Sequence, residues 1–313
     1  MRSKANIDDG RDWIAATGVP WPALCCPAHP RVELNESAKP GIEYVCPRCK
    51  AVYPVRDGIS RLVDDVTWQR DDFRAEAEQW DQEANVYDAR RSYDARYMAA
   101  VVAAVRNLAA RPGEFVLDAG CGTGLTTRRL VGIGCRVVAL DMSVESLGRL
   151  RAHVGDCEAR FIQGDLITLP FADGSFDRVL CANAVQQIDG HRLRRACLLE
   201  LLRVLRPGGR LVLTVQQYSI PRRQAGWSKE GRSGSRFRYV FRFSREELGR
   251  LLEDNLIRVN IRGAGFPLTY RFKLGWASRL VELAWQRLLF GTRWADLLVA
   301  TATKSAIPPG SGR

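Results

Sequence analysis

The chain has 313 residues, 46% hydrophobic and 26% charged, which is ordinary globular composition and enough for one domain of about 200 residues plus a smaller appendage. No stretch reaches the roughly 18 apolar residues of a membrane span, and Met1–Arg31 lacks the continuous apolar run of a secretory signal. The net charge of +12 is concentrated: from Glu200 onward 21 Lys/Arg face 8 Asp/Glu, so the last third carries +13 and the first 199 residues carry −1.

In chain order, residues 1–20 read as disordered. Residues 21–66 are rich in Cys, Pro and Gly and read as a small metal-stapled module. Its two knuckles, Cys26-Pro27-Ala28-His29 and Cys46-Pro47-Arg48-Cys49, share the same two-residue spacing, with sixteen residues between them. Paired knuckles of thiolate and imidazole suit a tetrahedral structural zinc held by Cys26, His29, Cys46 and Cys49, with Cys25 the alternative to His29. The other five cysteines, Cys121, Cys135, Cys157, Cys181 and Cys197, are scattered through apolar segments as small core residues. An odd cysteine count argues for a reducing compartment, and cytoplasmic location is the expectation.

Residues 67–304 read as one larger domain. Residues 68–110 are helical in pattern, with Trp68, Phe73, Trp80, Tyr87, Tyr93 and Tyr97 punctuating a charged sequence that ends at Arg111-Pro112-Gly113. Strands at 115–117, 136–140, 159–163, 176–181 and 210–215 then alternate with helices near 123–131, 143–153 and 191–205. Arg206-Pro207-Gly208-Gly209 is the turn before the fifth strand. Such alternation predicts an α/β fold, a parallel sheet with helices on both faces. Ser244-Arg245-Glu246-Glu247 is a capping box opening a further helix, and strands follow at 257–262 and 295–303. Between them, residues 270–292 form a helical insertion, with its helix at 275–290. The Pro/Gly/Ser-rich tail 305–313 is expected to be disordered.

Asp118-Ala119-Gly120-Cys121-Gly122-Thr123-Gly124 follows a strand and opens a helix. Its glycines permit a tight turn and close approach of a ligand, and the N–H groups of the helix start face that ligand. The second strand ends in Asp141, placed to accept from ribose hydroxyls, and the third ends in Gly164-Asp165, placed to accept from an exocyclic amine. A nicotinamide site wants Gly-x-Gly-x-x-Gly around a pyrophosphate. Here the spacing is Gly-x-Gly-x-Gly with an acid two residues before it, unfavourable for a pyrophosphate and favourable for an ammonium. The spacing points to S-adenosylmethionine (SAM).

The run Val116–Gly124 resembles motif I of class I SAM-dependent methyltransferases. Gly164-Asp165-Leu166, Leu169–Asp177 and Glu200–Gly209 resemble their later motifs, most closely those of the ubiquinone/menaquinone-biosynthesis type. The segment Tyr53–Leu62 resembles the part after the second knuckle of zinc-ribbon modules attached to or partnered with methyltransferases. The resemblance covers about residues 80–304. It implies a Rossmann-like seven-stranded sheet with an antiparallel last hairpin. It further implies that Gly120, Cys121 and Gly122 pack against the methionine part, that Asp118 reaches the ammonium and that Asp141 holds the ribose. Met142 and Leu166 would lie on the adenine, Asp165 at its edge, and Asn183 on the methyl-transfer face. Many relatives carry paired histidines after the fourth strand; Gln186-Gln187 stands there instead, so a histidine base at that place is absent.

Alignment of a nucleophile with the methyl group supplies much of the catalysis. Tyr87, Tyr93, Gln187 and His191 are the candidates for a polar contact to the acceptor, and no catalytic base is assigned. Arginines and aromatics interleave over residues 222–245, a pattern that stacks bases and binds phosphates. The insertion carries an apolar helical face. The acceptor expected first is a small apolar quinone-, polyketide- or lipid-like molecule. RNA is the alternative, favoured by the zinc ribbon and basic C-terminal third, and a peripheral membrane contact is a further one.

Overall fold

In the computed structural model, residues 20–37, 41–92, 95–155, 157–233, 238–253, 256–265 and 291–305 are described. The expected disordered ends, up to residue 19 and from 306, and all but the rim of the helical insertion lie outside these, as do Tyr93, Arg236 and Phe237.

The knuckle module is built from short strands: β1 (Cys25–Cys26), β2 (His29–Glu33), β3 (Asn35–Glu36), β4 (Glu43–Val45), β5 (Val52–Arg56) and β6 (Ile59–Arg61). Helices α1 (Asp65–Gln69), α2 (Asp71–Ser92) and α3 (Ala95–Leu108) follow. Then come β7 (Phe115–Ala119), α4 (Thr127–Ile133), β8 (Arg136–Asp141), α5 (Val144–Val154), β9 (Ala159–Gln163), β10 (Phe176–Ala182), α6 (His191–Val204) and β11 (Leu205–Gln216). The C-terminal part adds α7 (Ile220–Gln224), the hairpin β12 (Glu230–Ser233) and β13 (Arg238–Phe241), α8 (Arg245–Glu253), β14 (Leu256–Ala264), α9 (Gly291–Trp294) and β15 (Leu297–Lys304).

The sheet runs β14-β15-β11-β10-β7-β8-β9-β6-β5-β4-β3. From β9 to β14 this is the Rossmann-like seven-stranded methyltransferase sheet. Strands β7 to β11 pair in parallel, and β15 is antiparallel to both β11 and β14. The central strands are apolar on both faces, as Val137–Leu140 shows, because helices cover both. The module does more than stand beside this sheet. Strand β6 pairs in parallel with β9, Ile59 opposite Phe161, and carries the sheet onward through β5. Leu24, Leu34, Tyr53 and Leu62 share one buried apolar cluster with Ile162, Phe171 and Val138, so the knuckle module and the sheet have a common core.

The Arg206–Gly209 segment is a bulge inside β11 rather than a separate turn. Phe176 pairs with Leu205 and Arg178 already with Arg210, so the extra β11 residues loop out.

Candidate functional site

Strand β7 delivers the glycine turn to the carboxyl edge of the sheet. The amides of Gly120 and Cys121 both donate to the Leu140 carbonyl, at 2.7 and 3.1 Å, tying the turn to β8. Gly120 is left-handed at φ +72°, and a Cβ there would stand 2.5 Å from the Ala184 Cβ, so only glycine fits. Gly124 is also left-handed, which no helix tolerates. Helix α4 therefore starts at Thr127 and not at Thr123, and Thr126 and Thr127 are released to serve an acid.

That acid is Asp118. It is fully buried, and its Oδ2 accepts from the hydroxyls of Thr126 and Thr127, both at 2.6 Å. Its Oδ1 is buried without a partner. Burial pushes its pKa up to about 6, against the pull of the two threonine hydroxyls. Asp141 accepts from the Gly122 amide at 2.8 Å through Oδ2 and from the Ser143 amide at 3.0 Å through Oδ1, so it braces the glycine turn and the start of α5 together. Burial raises its pKa as well. Asp165 accepts from the Ile167 amide and faces Arg70 at 3.6 Å.

These loops enclose one cleft of about 980 Å³, open mouth included. Gly120, Cys121, Gly122, Asp141, Met142, Asp165, Leu166 and Asn183 all line it; Asp118 stands behind the wall, holding Thr126, which does line it. Asn183 sits at φ +58°, and both atoms of its amide are buried without a partner. Buried polar atoms without partners are costly. Those of Asn183, in the cleft wall, suit a ligand with polar groups of its own, and the Asp118 carboxylate behind that wall suits one with an ammonium, as SAM has. The acid-bearing loops thus fit that cofactor.

The opposite wall comes from residues the sequence did not single out for the site. Glu76, Trp80 and Ala84 form an i, i+4, i+8 stripe on α2, and Tyr97 and Val101 an i, i+4 pair on α3. That periodicity was the available signal, but it also describes ordinary core packing. Gln187 lines the cleft and donates to the Asn183 carbonyl. Its neighbour Gln186 is buried and accepts from the Gln216 amide, so it is part of the scaffold. His191 is exposed at the start of α6 and does not line the cleft. The side chain of Tyr87 lies outside the described part.

At the other end, the ligand atoms of Cys26, His29, Cys46 and Cys49 all lie within 4.8 Å of one another. Cys26 Sγ is 3.8 Å from Cys49 Sγ and 3.6 Å from His29 Nδ1. Tetrahedral bonds of about 2.3 Å to sulfur and about 2.0–2.1 Å to nitrogen give S···S and S···N separations of about 3.8 and 3.6 Å. These separations are compatible with zinc, and the cluster takes in His29. Cys25 is buried outside it. Of the scattered cysteines, Cys121, Cys135, Cys181 and Cys197 are buried, and burial pushes the thiols of Cys135 and Cys181 to about 11 and about 12. Cys157 is half-buried.

Two arginines of the basic segment turn inward, while Arg223, Lys229, Arg232 and Arg245 are exposed. Arg222 donates to the carbonyls of Gln217 and Asp296, and Arg242, 4% exposed, donates to that of Ser228. Both guanidinium groups lie over Trp227. Arg194, from α6, stacks on Phe241 at 4.1 Å and donates to Tyr239. The alternation at 238–241 is a strand of the β12–β13 hairpin, braced by Arg242 at its base and by Arg194 from α6. Among the described residues, no helix is long and apolar enough to cross a membrane.

Residues 117–213 match the family model described as a methyltransferase domain. Among curated proteins, the chain is 41% identical over 135 residues to a malonyl-[acyl-carrier protein] O-methyltransferase of Erwinia pyrifoliae, covering 42% of this chain and 49% of that protein. It is 42% identical over 114 residues to a demethylmenaquinone methyltransferase of Beutenbergia cavernae, covering 36% and 45%. The chain spans about half the length of these relatives. In fold it is similar to the 1,6-didemethyltoxoflavin-N1-methyltransferase of Burkholderia thailandensis, at 20% identity and TM-score 0.51, over 87% of this chain and 99% of that one. Residues 117–213 thus match a methyltransferase domain, and the strand order around them is that of the class I methyltransferase fold.

Proposed function

We propose that the chain transfers the methyl group of SAM to carbon or oxygen of a small apolar acceptor, of quinone, polyketide or lipid-like character. The observation that carries this reading is the make-up of that cleft. Its floor is the glycine turn with Asp141, Asp165 and Asn183, its roof carries Trp80, Ala84 and Val101, and Leu125 and Ile188 add further apolar lining. Small-molecule sites have this character, apolar walls with a few placed polar groups. The curated relatives are named for small-molecule or carrier-bound acceptors, and the inward turn of Arg222 and Arg242 removes part of the support for RNA.

When bound, SAM supplies an activated methyl on a sulfonium. The acceptor's carbon or oxygen would take that methyl and release its own proton to water, the sulfur would keep the electron pair of the broken methyl–sulfur bond, and S-adenosylhomocysteine would leave. This chain's residues bind and orient. Asp141 holds the ribose, Met142, Asp165 and Leu166 the adenine, and Gly120, Cys121 and Gly122 the methionine part. Asp118 acts on the ammonium from behind Thr126, and Asn183 and Gln187 face the transfer. Residues 21–66 hold a structural zinc through Cys26, His29, Cys46 and Cys49, a thiolate set suited to a reducing, cytoplasmic setting.

Incubation of cell extracts with isotope-labelled SAM, followed by mass spectrometry, should yield a methylated small molecule that Asp141→Ala does not produce. Calorimetry should show binding of S-adenosylhomocysteine by the folded protein. Failure of the intact protein to bind it would overturn the reading.

A further inference from the structure

The floor of the cleft is made by the sheet and its roof by α2, and something must hold the two at the right separation. The contacts of Asp81 meet this need. It follows Trp80 on the cleft-lining stripe, yet its own side chain points to α5. Its Oδ1 accepts from the Ser143 hydroxyl at 2.6 Å and from the Glu145 amide at 3.1 Å. Ser143 is the N-cap of α5 and is fully buried, and its Oγ also accepts from the Ser146 amide. Asp81 is thus a carboxylate brought from another helix to the N-terminus of α5, where a negative charge is favourable and two donors are satisfied.

The same few residues belong to the cofactor site. The Ser143 amide donates to Asp141, and Met142 and Ser146 line the cleft on either side of it. Asp81 is close enough to Asp141 for its charge to raise that group's pKa. One turn later on α2, Asn85 accepts from Arg149, so α2 lies along α5 beyond this point. At the other lip of the cleft, Arg70 reaches Asp165. The roof is therefore pinned to both acid-bearing loops, by Asp81 on the ribose side and by Arg70 on the adenine side.

We infer that Asp81 is a positioning residue for the cofactor: by clasping Ser143 and Glu145 it couples closure of α2 over the cleft to the conformation of the Asp141–Met142–Ser143 loop. This rests on the cofactor reading above. Asp81 touches neither the reacting atoms nor the cleft wall, and its effect passes through Ser143. Loss of the clasp lets the roof lift and the loop relax together, so cofactor is bound more weakly and released faster.

The test is S-adenosylhomocysteine binding by calorimetry, with hydrogen exchange of α2 read in the same proteins. Asp81→Ala should weaken binding about tenfold, the effect of losing about 1.4 kcal/mol, and speed exchange at residues 76–86 without a matching change in the central strands. Asp81→Asn, which keeps an acceptor for Ser143, should recover most of the affinity. Ser143→Ala should reproduce the Asp81→Ala loss, and should do so even where Asp81→Ala folds poorly. Affinity within twofold of the parent in a folded Asp81→Ala or Ser143→Ala protein overturns the inference. If the parent binds and Asp141→Ala does not while Ser143→Ala binds normally, only the clasp falls. If the parent itself fails to bind, the cofactor reading falls with it.

Discussion

The backbone amide of Cys25 donates to the carbonyl oxygen of Pro170 at 2.9 Å, joining the residue beside the first knuckle to the far end of the loop that follows β9. At the near end of that loop the Leu62 amide donates to the Gln163 carbonyl at 2.8 Å, continuing the β6–β9 pairing. The segment between, Gly164–Leu169, carries Asp165 and Leu166. The knuckle module therefore grips the Asp165 loop from both sides, and on the proposed reading its shape depends on a metal held by Cys26, His29, Cys46 and Cys49. Chelation of the metal should lower Tm by several degrees and weaken S-adenosylhomocysteine binding about tenfold, and zinc should restore both; unchanged affinity in metal-free protein would separate the two sites. His29→Cys should keep the metal, since thiolate serves as well, whereas His29→Ala should lose it.

Asp118 is a second point where structure and ligand are linked. Its folded pKa of about 6 lies above the ordinary 3.8, so the folded protein holds the proton more tightly than the unfolded chain. Its contribution to stability is then most favourable below about pH 4 and is lost as pH rises through about 6. Asp118→Asn keeps an acceptor for Thr126 and Thr127 and removes the buried charge. At pH 7.5 this variant should melt above the parent without cofactor, yet bind S-adenosylhomocysteine more weakly. In the parent, cofactor affinity should rise between pH 5 and 7 as Asp118 ionises, and calorimetry across that range checks it.

Asn183 stores strain of a different kind. A non-glycine residue at φ +58° with an unpaired buried amide costs on the order of 1–3 kcal/mol. Asn183→Gly should raise the stability of the cofactor-free protein by about 1 kcal/mol and reduce cofactor affinity. Denaturant titration and calorimetry on one preparation would show both, and a variant that loses stability would contradict the assignment.

Arg203 holds the loop opposite the knuckles. It donates to the carbonyls of Phe171 and Leu169 at 2.6 and 2.9 Å and to Glu200 at 2.7 Å, and it is mostly buried. Arg203→Met removes the donor to those carbonyls and leaves Glu200 without its cationic partner, only the Leu169 amide still donating to it. The cost should be about 3 kcal/mol, or roughly 6–12 °C in Tm for a domain of this size, measurable by thermal melting. Arg206, half exposed at its pair with Asp177, should cost far less when replaced.

The chemistry of the cleft floor could be read from the chain because each part of it is local. Gly120, Gly122 and Gly124 alternate within five residues, Asp141 and Asp165 end apolar runs, and the strand that carries each acid is continuous in sequence. A glycine turn and a strand end need no distant partner to be recognisable. The two knuckles stand out for the same reason, each having its pair of candidate ligands separated by two residues.

What only the tertiary structure decided is everything made by contact between distant segments. The choice of His29 over Cys25 depends on which side chain faces Cys46 and Cys49 once β1 has paired with β2. Parallel pairing of β6 with β9 joins residues a hundred positions apart, and no local pattern encodes it. The roof stripe of α2, the clasp of Asp81 on Ser143 and the inward course of Arg222 and Arg242 are likewise set by packing. Periodicity tells that a helix has a face, and only the fold tells what that face meets.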